Sequence, residues 1–217
     1  VALGFCLSAG GAQATVVTFD FTTEFTATGA NPAGSPPWLR AVFDDHGGTG
    51  SVTLTLSSLT PVLDAGEFIT EWDFNFNPAK TPGPFAVGQS SGPPFASVAS
   101  GSDAINAPEG NRFDLAIRFE TSNSPDRFND GEVAVLTLTL TGITASDFNF
   151  LSTVVGGGNG PFLAAAHVQG IGPNDNDSGW LAPGNGGPPQ ETPEPGSLAL
   201  LGASLLGLLG LSRRRKI

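Results

Sequence analysis

The chain has no methionine, no tyrosine and one cysteine in 217 residues, and nine Lys and Arg stand against 20 Asp and Glu. Each shortage excludes something. Cys6 lies in the first apolar stretch, so a chain cut after Ala14 carries no thiol and no disulfide can brace it. Leu3-Gly4-Phe5 before Cys6 also lacks the small residues that a lipoprotein signal places there. Four of the nine bases are Arg213, Arg214, Arg215 and Lys216. All acids precede Gly196, where five bases face 20 acids, a net charge of -15. Such a surface repels phosphate backbones, which excludes nucleic acid as a partner. His46 and His167 are the only histidines, too few at ligand spacing for a zinc set. Helical periodicity is missing from every stretch before Gly196.

Period-two alternation takes its place. Val17, Phe19, Phe21 and Phe25 alternate with Thr and acids; Val52, Leu54 and Leu56 alternate with Ser and Thr. Phe68, Trp72, Phe74 and Phe76 share one parity, as do Phe113, Leu115, Ile117 and Phe119, with Arg112, Asp114, Arg118 and Glu120 facing away. Each spacing predicts a half-buried strand. Val133 and Val135 are out of phase with Leu136, Leu138 and Leu140. This predicts a β-bulge near Val135 and Leu136, or a strand buried on both faces. Phe148 with Phe150, and Phe162 through Val168, suggest two more strands, and Phe95 to Val98 a short one. Gly and Pro clusters separate the runs. The expected fold is all-β: an antiparallel β-sandwich, jelly-roll-like, with a single C-terminal hydrophobic helix. A barrel is the alternative.

The two ends differ from this body. Residues 1–14 are apolar, then small, and close on Ala12-Gln13-Ala14, which reads as a secretory signal that has lost its start. The body then runs over 15–181, and a Gly/Pro linker over 182–192. Pro193-Glu194-Pro195 follows, then an uncharged run of Ser, Leu, Ala and Gly to Leu211, then Arg213 to Lys216. As a helix of about 16 residues the run is roughly 24 Å long, somewhat short of the hydrocarbon core but able to span a thinned bilayer. The cations form the cytoplasmic stop.

Pro193, Glu194 and Pro195, the short span and the Arg cluster over 193–217 together resemble the PEP-CTERM sorting signal of Gram-negative bacteria. The resemblance implies export across the inner membrane and transient anchoring by the helix. It also implies recognition by an exosortase, with processing near the motif and delivery to the cell surface or medium. It further implies association with exopolysaccharide and biofilm. Phe148-Asn149-Phe150-Leu151-Ser152 and Ala165-Ala166-His167-Val168-Gln169-Gly170 also look like phrases of other PEP-CTERM surface proteins.

Candidates for chemistry are few. Gly88-Gln89-Ser90-Ser91-Gly92 fits G-x-S-x-G, but Pro84 and Pro93-Pro94 flank it and no helix follows. Asp44-Asp45-His46 reads as a polar turn before Gly47-Gly48. Asn174-Asp175-Asn176-Asp177-Ser178-Gly179 offers alternating oxygens, with Asp175 and Asp177 as candidate calcium ligands, and reads equally as a plain turn. Trp38 follows Pro36-Pro37 and Trp180 follows the acidic turn, so both are candidate glycan contacts. The expectation is a structural protein of the cell surface or matrix, not an enzyme, with no cofactor beyond the calcium candidate. A carbohydrate-binding sandwich, calcium-dependent or not, is the alternative.

Overall fold

The computed structural model describes residues 13–59, 63–122 and 125–184. Residues 1–12 of the signal, the linker beyond 184, Pro193-Glu194-Pro195, the C-terminal helix and Arg213 to Lys216 lie outside the described residues. Among the described residues, no helix is long and apolar enough to cross a membrane.

Among the described residues twelve strands form in chain order: β1 Val16–Glu24, β2 Leu39–Asp44, β3 Ser51–Ser58, β4 Phe68–Phe74, β5 Ala86–Ser91, β6 Phe95–Asn106, β7 Asn111–Phe119, β8 Phe128–Asn129, β9 Val133–Thr139, β10 Thr153–Val154, β11 Ala164–Ile171 and β12 Asp177–Pro183. The last strand thus runs two residues past Leu181, where the sequence places the end of the body. Pairing is antiparallel throughout, in the spatial order β10-β7-β4-β11-β12-β1-β2-β3-β9-β5, with β6 also on β7 and β8 on β4. The fold is all-β, as expected.

The sheet does not lie flat. β1 and β4 stand three places apart in it, about 14 Å at the usual strand spacing. Yet the Phe19 and Phe74 ring centroids are 6.4 Å apart, and those of Phe21 and Trp72 are 5.3 Å apart. The sheet therefore rolls over and packs on itself, which gives the two layers of a sandwich from one ladder. The inward sets are those of the alternation: Val17, Phe19 and Phe21; Leu39, Ala41 and Phe43; Val52, Leu54 and Leu56; Trp72 and Phe74; Leu115 and Ile117. Phe43 stacks on Phe148 at 4.1 Å and meets Phe74 edge-on at 5.0 Å, so phenylalanine fills the centre.

Four readings need correction. In β9 the alternation never breaks: Ala134, Leu136 and Leu138 face the core, while Val133 and Val135 face outward. The extra residue sits on the neighbouring strand, where β5 shifts register between Gln89 and Ser91. In β4 a shift between Ile69 and Glu71 makes Thr70 the extra residue. Ile69 replaces Phe68 on the core face, and Phe68 lies under the Arg127 guanidinium, 3.8 Å from its ring centre. A shift between Phe21 and Thr23 likewise sends Phe25 to a second cluster. Phe148 ends a short 3-10 turn, Ala145–Phe148, rather than starting a strand; the Thr144 hydroxyl and the Asp147 carboxylate cap it reciprocally.

The Asp44-Asp45-His46 turn joins β2 to β3. The buried Asp45 carboxylate accepts from the backbone N–H groups of Thr15 (2.8 Å), Gly47 (2.9 Å) and Ala145 (3.3 Å). It holds three segments together, while exposed His46 pairs with Asp44 and Thr53.

Candidate functional site

The polar groups that stand out lie on the outer face of β7, β4, β11 and β12. Cross-strand partners share a face, so the register can be read across the sheet. Arg118 opposes Glu71, Glu71 opposes His167, and His167 opposes Trp180. The row is interlocked. Arg118 donates to Glu71 at 2.6 Å, and the Trp180 indole stacks parallel to the His167 ring, 4.7 Å away and tilted 10°. The Thr70 hydroxyl lies within hydrogen-bond distance of both His167 Nδ1 (3.0 Å) and the His167 carbonyl (3.3 Å). Burial lowers the His167 pKa against the pull of the Glu71 charge, which keeps the ring neutral.

The next row is built from alanine. Ala99 opposes Ala116, Ala116 opposes Asp73, and Asp73 opposes Ala165. Asp73 is fully buried; no N–H or hydroxyl donates to its carboxylate oxygens, and the neighbouring Glu71 carboxyl is the group with which its proton is shared. Burial raises its pKa well above the usual carboxylate range, the Glu71 charge adds to this, and Arg118 opposes it. Burial in this apolar setting thus favours the protonated form of Asp73. Its cover is the second cluster: Phe25, Ile105, Phe113 and Phe162 with Ala116, Ala165 and Ala182. Phe25 and Phe162 sit 4.5 Å apart, and Asn159 ties the cover down by donating to the Phe25 carbonyl at 2.9 Å. A carboxyl closed in this way does not reach a substrate. What the two rows do is lock four strands in register.

A polar cleft of about 690 Å³ opens at the β11–β12 end of the sheet. It brings together both calcium candidates, Asp175 and Asp177, with Asn176, Gln169, Thr121 and Arg127. Asp175 adopts a left-handed φ of 54° and lies against Gly66, where an added Cβ would meet its carboxylate at 2.3 Å. Arg127 is spent on the carbonyls of Ser122 (2.6 Å) and Thr121 (2.8 Å). Among the described residues, no three His, Cys, Asp or Glu side chains gather as a metal set.

The glycan candidates separate. Trp38 is 4 % exposed in the main core, where its backbone N–H extends the β1–β2 pairing by donating to the Phe21 carbonyl at 3.0 Å. It presents no ring face to a sugar, which corrects that assignment. Trp180 is half-buried, with one face on His167. Ser90 of the G-x-S-x-G stretch sits on edge strand β5 and donates to the Val135 carbonyl at 3.2 Å. The sequence reading placed Arg118 on the outward face but missed Glu71 and Asp73. The only signal was the polar alternation Glu71, Asp73, Asn75, which reads as a solvent face until the cover is known.

The fold and its ends define a class: an all-β body followed by a C-terminal sorting segment. That segment, residues 191–216, matches the family model of the PEP-CTERM protein-sorting motif. The chain thus carries a PEP-CTERM sorting motif, which indicates an exported protein that is sorted by an exosortase and anchored in the membrane before processing. No curated protein and no solved structure matches the chain.

Proposed function

We propose that the body serves as a structural component of the cell surface or extracellular matrix, without catalytic activity, among exopolysaccharide in a biofilm. The observation that carries this reading is the sorting motif at 191–216 behind an acidic sandwich whose most perturbed carboxyl is shut from solvent. An acidic body stays soluble during export and repels anionic polymers at long range, which favours a space-filling role. The test is deletion of the chain followed by matrix fractionation and stiffness measurement. The reading expects the protein in the insoluble matrix fraction and a softer matrix without it. A freely diffusing protein and an unchanged matrix would refute it.

A second reading, carbohydrate binding, is favoured by the polar cleft beside Asp175 and Asp177. Its test is retention on cell-derived polysaccharide, with chelator and with Asp177→Ala. Retention lost in both supports a calcium-dependent site. Retention lost only with the substitution supports a metal-free one. No retention by the unaltered protein rejects both.

A further inference from the structure

The ends of the rolled sheet are β5 and β6, joined by Gly92-Pro93-Pro94 but not paired with each other. Among the described residues, the backbone of β5 pairs only with β9. Among the described residues no strand pairs with its other edge, although the Gln89 side chain donates to the Ser91 carbonyl at 3.1 Å; such an edge ordinarily recruits another strand unless charge, proline or a bulge blocks it. Ala86 to Ser91 contains neither charge nor proline, and its one bulge lies at the far end, between Gln89 and Ser91. The far edge of β6 is less suited, because a large register shift between Ser100 and Ile105 breaks its line.

The charge pattern selects the partner. The 22 residues from Thr81 to Ser102, which contain the whole of β5, carry no charge. The outer face leading to the edge continues without charge: Thr53 and Thr55 on β3, then Val135, Thr137 and Thr139 on β9. Two acidic bodies that approach through this edge set no like charges opposite each other. An antiparallel edge is also self-complementary about a two-fold axis, which closes as a dimer rather than a fibre. Anchoring by the sorted tail holds copies on one membrane and raises their effective concentration.

We propose that β5 pairs antiparallel with β5 of a second copy, joining two rolled sheets into one continuous ladder. This goes beyond the matrix role and does not depend on it.

Gly88 provides the test. It is exposed at the middle of β5, and a Cβ added there meets nothing within 4 Å. Gly88→Glu places two like charges near the axis, whereas Gly88→Thr adds an uncharged strand former. The full chain in detergent micelles is compared by sedimentation velocity, with folding checked by circular dichroism. The expected result is a dimer for the unaltered chain and Gly88→Thr, and an affinity at least about tenfold weaker for Gly88→Glu. If Gly88→Glu fails to fold, Ala86→Glu on the same exposed side replaces it, with the same expectation. A monomer at every concentration overturns the proposal. So does a dimer that the charged variant leaves unchanged, since the tail is common to all the chains.

Discussion

The two faces of β4 are built on opposite terms. Inward, Trp72 and Phe74 meet Phe21, Phe19 and Phe43 in a close aromatic core. Outward, Asp73 sits beside the Glu71 carboxyl in a row of alanines under a separate cover. Both faces are buried, but only the inner one gains from it. The difference teaches that burial in this molecule is not one property. The inner face drives folding, while the outer face holds an acid that folding must desolvate.

The largest effect expected from that contrast is on the inner side. Phe74→Ala should destabilise the protein by about 3–5 kcal/mol in a denaturant titration, because two ring contacts vanish and the rolled sheet cannot collapse into the gap. A loss below about 1 kcal/mol would mean that the layers are not packed through these rings. On the outer side the sign reverses. Asp73→Ala completes the alanine row and should stabilise by about 1–3 kcal/mol at neutral pH, the usual cost of an unsatisfied buried polar group. Destabilisation would show that the contact with Glu71 outweighs that cost.

The pH dependence sharpens the same point. The folded-state pKa of Asp73 lies above its unfolded value near 3.8. The folded state therefore holds this proton more tightly, and its contribution is fully present below that value. It is lost as pH rises through the raised folded value. Unfolding titrations across pH should show this falling limb in the unaltered protein and not in Asp73→Ala. His167 acts in the opposite sense. Its folded pKa is lowered from 6.5, so stability falls as pH drops through the range where the unfolded ring takes a proton. His167→Gln should flatten that acid limb. The smallest expected effect is that of Trp180→Ala, about 0.5–1.5 kcal/mol from the lost stack on His167. An unchanged stability would reduce the stack to a surface contact.

The inner face was legible in the sequence and the outer face was not. Val17, Phe19 and Phe21, or Val52, Leu54 and Leu56, announce a buried side because period two is a local property. Phe25 and Phe68 depart from that reading because bulges at Phe21/Thr23 and at Thr70 change the phase, and no residue type marks them. β5 was not among the strands expected from alternation, because its Gly and Ser content carries no period-two apolar signal. The Arg118–Glu71–His167–Trp180 row depends on four segments meeting in register, which sequence spacing does not encode. Asp175 and Asp177, being neighbours in the chain, were found together; Trp38, read from its prolines, proved to belong to the core. The sorting segment was legible throughout, since a short motif, an apolar run and a basic stop are linear features.

The central claim is that this acidic all-β body is delivered outside the cell by a tail that an exosortase recognises. Intact-mass analysis of the surface form, from cells with and without that enzyme, tests it most directly. The account predicts a species ending near Pro195 when the enzyme is present and one retaining Arg213 to Lys216 when it is absent. The same uncut mass in both would contradict it.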